Sequence, residues 1–128
     1  MLDSKGLERY LPLTHTTYYI LLALHVPAHG YGIMQHVQEM TEGEVELGPG
    51  TLYGALGKLT KQGLISKLDE EADSRRKYYV LSELGRAVVK EEFNRLNTLV
   101  QNSREIVENL GEKVTTERVL NEKEGDEK

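Results

Sequence analysis

An apolar seam in the last third of the chain limits the folds open to it. After Ser82, the residues Val89, Phe93, Leu96, Val100, Val107 and Leu110 follow at steps of 4, 3, 4, 7 and 3, with Ser103 at the skipped position. This is the heptad spacing of one helix that meets another. Ser82 suits the N-cap and Glu83 the first turn. The spacing predicts a helix from about residue 82 to residue 110. The small head before it cannot cover so long a helix, so the seam calls for the same helix of a second copy. Residues 112–128 are charged and nearly free of large apolar groups, which predicts a frayed or disordered tail.

Turn residues divide the head into helix-length pieces. Residues 14–26 read as a first helix, capped by Thr14, Thr16 or Thr17 and stopped by Pro27. Tyr18, Tyr19, Ile20, Leu21, Leu22, Ala23 and Leu24 make it apolar on more than one side. Residues 27–30 read as a turn. Residues 31–40 form a second helix, with Ile33, Met34, Val37 and Met40 at three- and four-residue spacing and Gly43 after its end. Residues 41–47 read as an acidic loop or short strand.

Beyond Gly48-Pro49-Gly50, a third helix is expected from about residue 51 to residue 62. Leu52, Ala55, Leu56 and Leu59 make its apolar stripe, and Gly63 stands where a C-terminal cap belongs. Thr51, Tyr53, Gly54, Lys58 and Lys61 fall on its other faces. Two β-like runs follow, at residues 64–68 and 77–81, around a polar loop too long for a tight turn. Tyr78 and Tyr79 alternate across the second run, which predicts one in the core and one exposed. The fold class is therefore mainly α with a small β-hairpin wing. It reads as a winged helix-turn-helix over residues 1–82, a C-terminal dimerisation helix over 83–111 and a tail over 112–128.

The chain has 128 residues, a formal net charge of −5 and no cysteine. The acidic total argues against a nucleic-acid partner, but the charge is uneven. Between residues 49 and 82 six bases, Lys58, Lys61, Lys67, Arg75, Arg76 and Lys77, face four acids. A phosphate responds to that local field, not to the sum. The absence of cysteine removes disulfides and thiolate chemistry and fits a reducing, cytoplasmic setting. The N-terminal residues do not form a signal peptide, and the apolar run at residues 20–24 is too short to span a bilayer, so no membrane partner is expected.

Enzyme readings find no support. His25 and His29 are separated by Pro27, and no carboxylate spacing completes a metal site with His15 or His36. Gly48-Pro49-Gly50-Thr51 lacks the lysine of a phosphate loop, and no catalytic triad stands out. No metal and no cofactor is expected.

Three stretches resemble the PadR family of transcriptional regulators: YYILLAL at residues 18–24 with HGYGIMQHV at 29–37, GPGTLYGALGKLTKQGLI at 48–65, and RRKYYVLSELGRAV at 75–88. The resemblance covers roughly residues 13–88 in the family's order. Gly54 departs from the proline or larger residue often found after the LY pair. The single long C-terminal helix resembles the family's shorter class, which dimerises through that helix with help from the first. The resemblance implies a homodimeric regulator, with repression the expected sense, bound to a double-stranded operator.

The residues themselves are consistent with this. A recognition helix presents its N-terminal residues to base edges in the major groove. Thr51 and Tyr53 supply hydroxyls there, though Tyr53 would equally suit the core. Lys58 and Lys61 supply charge, and Arg75, Arg76 and Lys77 put a basic wing on flanking phosphates. The dimer interface is expected at Val89, Phe93, Leu96, Val100, Val107 and Leu110. The resemblance further implies a small aromatic inducer near that interface, where Tyr18, Tyr19, Leu22, Phe93, Leu96 and Val100 are the candidate lining. Filling of the interface explains these residues as well. The competing function is a winged-helix module that binds protein and not DNA, which the acidic total favours.

Overall fold

The computed structural model describes residues 4–68 and 77–111. The expected loop with Arg75 and Arg76, and the tail expected over residues 112–128, lie outside the described residues. The chain divides into two compact units, Met1–Asn94 and Arg95–Lys128.

The first unit opens with an element that periodicity does not reveal. A short helix α1 (Ser4–Leu7) runs into a 3-10 turn at Glu8–Tyr10 and delivers Leu7 to the core. Helix α2 (His15–Ala23) follows, capped by Thr14, whose hydroxyl accepts the Thr17 N–H at 3.1 Å. It ends three residues short of the expected stop. Its last turn tightens, with the Leu24 and His25 N–H groups donating to the Leu21 and Leu22 carbonyls.

The stretch expected as a turn contains a strand, β1 (Ala28–His29). Its partner is β3 (Tyr78–Leu81), some fifty residues on, a pairing that no local pattern announces. Together with β2 (Ile65–Leu68) they form a three-stranded antiparallel sheet in the order β1-β3-β2. The wing is thus more than a hairpin: β3 lies between two neighbours. Ala28 faces Tyr79 on one side, and Lys67 faces Tyr79 on the other. Tyr79 is buried, while Tyr78 is half-buried with its ring edge-on to His29 at 5.3 Å.

Helix α3 (Gly30–Met40) is capped by His29, whose Nδ1 accepts the Gly32 N–H. Helix α4 (Pro49–Gln62) begins at the proline itself, since a first-turn residue needs no N–H. It ends at Gly63, which takes the left-handed conformation with φ of 79°. Helix α5 (Glu83–Glu108) starts at Ser82, whose hydroxyl accepts from the Gly85 N–H at 3.0 Å and donates to the Gly63 carbonyl at 2.6 Å. One serine therefore caps α5 and ties it to the end of α4. The core contains Ile20, Leu21 and Leu24 from α2 and its end, Ile33 and Val37 from α3, and Leu52 and Leu56 from α4. Within this unit α5 contributes Gly85, Val88 and Glu92 to the buried set.

The second unit holds the rest of α5 and a 3-10 turn at Asn109–Gly111. Its Ser103 hydroxyl donates to the Leu99 carbonyl at 2.7 Å, so the polar member of the seam is satisfied by its own helix. Leu99, Val100, Ile106, Val107 and Leu110 are exposed there. No described helix is long and apolar enough to cross a membrane.

Candidate nucleic-acid interface

Helix α4 sorts its residues by the helical period. Leu52, Leu56 and Leu59 are buried. Gly50, Gly54, Gly57 and Lys61 fall on the opposite side, with Thr51 and Lys58 along one margin and Tyr53 along the other; all are exposed. A Cβ added at Gly50, Gly54 or Gly57 would meet nothing within 4 Å. Glycine inside a helix costs about 1 kcal/mol against alanine. No packing contact within the described chain compensates that cost, so the face is bare backbone open to close approach from outside. Lys58 and Lys61 carry its charge, and neither forms an ion pair among the described residues.

Tyr53 is neither core nor free. It is 54% exposed, yet its ring lies against Gly30, where any Cβ would collide with the phenol. Gly30 thus lets Tyr53 bridge α4 to the start of α3 while half its surface stays open. Lys77 is exposed at the foot of β3. Tyr31, absent from the residues expected at the interface, is 63% exposed at the start of α3, with its hydroxyl accepting from the Gln35 amide at 3.4 Å. Its place off the Ile33–Val37 stripe is the signal that could have found it.

A second feature lies at α2 and the first turns of α5. Tyr18, Leu22, Val89, Lys90, Phe93 and Asn94 line a shallow groove of about 350 Å³. Of the expected ligand lining it joins Tyr18, Leu22 and Phe93. Tyr19 packs beside the Tyr18 ring at 6.4 Å without lining the groove, and Leu96 and Val100 belong to the second unit. Glu92, on the same helix but not among the lining residues, is fully buried, and its Oε2 accepts the Leu13 N–H at 2.7 Å. The Tyr18 hydroxyl is held above the usual tyrosine range by burial first, then by the Glu92 charge and by Tyr19. Nothing in the spacing of this seam-like helix signals a buried acid.

A profile of the transcriptional regulator PadR-like family matches residues 20–91, more than half of the chain. The chain belongs to the PadR-like family. The matched residues run from α2 through the first turns of α5 and include all of α4 and the sheet. This is a family of transcriptional regulators that bind DNA, not of enzymes.

Solved structures agree. A PadR family transcription regulator from Clostridium difficile is similar at a TM-score of 0.63 and 22% identity, over 73% of this chain and 99% of that one, which bears on the fold alone. RosR of H. salinarum is similar at 31% identity and a TM-score of 0.57, over 77% of this chain and 89% of that one. A complex structure of the same protein, hsRosR-S1, is similar at 32% identity and a TM-score of 0.55, over 75% and 86%. Among curated proteins, an uncharacterized 37.1 kDa protein in transposon TN4556 of Streptomyces fradiae is 35% identical over 66 residues, 52% of this chain. That match spans only 18% of the transposon protein.

Proposed function

We propose that the chain is a homodimeric, sequence-specific repressor that binds a double-stranded DNA operator in the cytoplasm. The observation that carries this reading is the open face of α4, where three glycines meet no side chain and two lysines have no ion-pair partner among the described residues. On a helix that enters the major groove, bare backbone permits close approach, Thr51 and Tyr53 reach base edges, and Lys58 and Lys61 meet phosphates. Arg75, Arg76 and Lys77 extend the contact from the wing to the flanking backbone. Residues 1–82 act as the DNA-binding head and residues 83–111 as the dimerisation helix. Pairing of α5 with its copy would cover Val89, Phe93, Leu96, Val100, Val107 and Leu110. The exposure of Phe93, Val100, Val107 and Leu110 supports that assignment. A small aromatic inducer would enter the groove at Tyr18, Leu22 and Phe93 and favour the geometry that releases DNA.

The test is binding to the DNA upstream of the chain's own gene across a salt series. Each phosphate that is no longer neutralised should reduce the steepness of log K against log salt by about 0.9. Replacing Lys58 and Lys61 by Ala, or Arg75, Arg76 and Lys77 together, should flatten the slope and weaken binding to all sequences alike. Changes at Thr51 or Tyr53 should alter the preference among sequences. A slope unchanged in both charge variants would remove these residues from the interface.

A further inference from the structure

The open face of α4 has two margins, and each meets a different part of the first unit. On the Tyr53 margin the helix meets the start of α3, where the Tyr53 ring lies against Gly30. On the other margin it meets the chain that leads into α2: Tyr10, Pro12 and Leu13 share the walls of one concavity with Gly54, Ala55 and Lys58. This leading segment, residues 4–13, lies ahead of residues 20–91, which carry the family match. It is held at both ends. Leu7 is buried in the core, and the Leu13 N–H donates to the buried Glu92. Between these anchors the Leu11 N–H donates to the Glu8 carbonyl at 3.0 Å and closes a turn. Arg9 is exposed on that turn, with its guanidinium carbon 5.0 Å from the centre of the Tyr10 ring. It forms no ion pair among the described residues, although Glu8, also exposed, is its neighbour in the chain.

We propose that Arg9 binds the phosphate backbone of DNA on the Lys58 side of α4, which makes the leading segment a contact separate from both the recognition helix and the wing. A helix with its side chains is roughly 10–12 Å across and the major groove about 12 Å wide, so a helix in the groove has a phosphate backbone along each margin. The leading segment stands on one of those margins, beside the helix and not on its groove-facing side, which sets Arg9 toward phosphates and away from base edges. Stacking on Tyr10 fixes the plane of the guanidinium and leaves its N–H edge free for two phosphate oxygens. Lys58 adds a second positive charge on the same margin, and the two fields add at a phosphate between them. The anchors at Leu7 and Leu13 mean that little chain entropy is lost when the contact forms. This inference rests on the DNA-binding reading of α4.

The test is binding of the full chain to the DNA upstream of its own gene and to an unrelated duplex of equal length, each across a salt series. Arg9→Ala should reduce the steepness of log K against log salt by about 0.9 for each bound protomer, a loss of roughly tenfold per protomer at about 0.1 M salt. The loss should be the same on both duplexes, because a phosphate carries no sequence. Arg9→Lys keeps the charge and should restore the slope. Phosphate-ethylation interference locates the contact: the interference lost in Arg9→Ala should fall on the same strand as that lost in Lys58→Ala, within a few nucleotides of it. An unchanged slope in Arg9→Ala, a loss confined to the upstream DNA, or lost interference on the strand opposite that of Lys58 would overturn the Arg9 contact. Wild-type binding to the upstream DNA would leave the DNA-binding reading standing in each of those cases. A wild-type chain that binds neither duplex overturns the DNA-binding reading and the Arg9 contact with it.

Discussion

Helix α5 runs through two regions that differ in how much of it the chain covers. In the first unit one side of the helix, at Gly85, Val88 and Glu92, is buried against the rest of that unit, while Phe93 of the seam is 60% exposed. In the second, Leu99 and Val100 are about half exposed, and Ile106, Val107 and Leu110 are 66%, 58% and 71% exposed. Apolar area left in water forgoes about 25 cal/mol per Å², and a run of such residues marks a surface meant for a partner. A heptad pattern specifies that a helix will be covered. It does not specify whether the cover comes from the same chain or from another copy.

The glycines make the same contrast. A Cβ on Gly85 would strike the Leu64 carbonyl, so that glycine serves the fold. Gly57 meets nothing and serves no contact within the described chain.

The sharpest way to break the comparison is to charge the second region. If the proposed dimer forms through this region, Leu96→Glu with Val100→Glu should cost about 1.5–3 kcal/mol for each apolar side chain denied burial, weakening it about a hundredfold or more. Sedimentation should show monomers, and operator affinity should fall with dimerisation. A double variant that still sediments as a dimer places the interface elsewhere.

In the first region the telling residue is Glu92. Glu92→Ala removes the acceptor of the Leu13 N–H and should lower the unfolding free energy by about 1–3 kcal/mol in a urea titration. Glu92→Gln keeps an acceptor oxygen and should recover part of that stability. Equal destabilisation in both variants would assign the effect to charge and not to this hydrogen bond.

Gly57→Ala should move stability and function in opposite directions. Thermal unfolding should show a gain of up to about 1 kcal/mol from helix propensity, while DNA affinity falls because a methyl group stands on the approaching face. A gain in stability with unchanged DNA affinity would free that face from the interface.

The smallest expected effect is on alkaline stability. The folded state holds the Tyr18 hydroxyl above its ordinary value, so the folded chain binds that proton more tightly than the unfolded one. The stability this represents is complete below the ordinary tyrosine pKa of about 10 and is lost as pH rises through the higher folded value. Tyr18→Phe should unfold less steeply with pH in that window, and an identical alkaline profile would remove Tyr18 as a source of the effect.

Periodicity, caps and turn residues are enough for α2 to α5, for the wing strands and for the faces of α4, because those signals act over a few residues. Thr14, Gly63 and Ser82 cap where local chemistry says they should, and the motifs around them carry the family. The candidate DNA face is legible for the same reason, since the helical period alone separates Lys58 and Lys61 from Leu52, Leu56 and Leu59. The pairing of β1 with β3, the burial of Glu92 with its hydrogen bond from Leu13, and the seat of Tyr53 on Gly30 are not legible. Each depends on groups brought together from far apart, as with Leu13 and Glu92, 79 residues from one another. Such contacts follow from how the helices pack, and packing is set by the shapes of many side chains together, which no window of sequence contains.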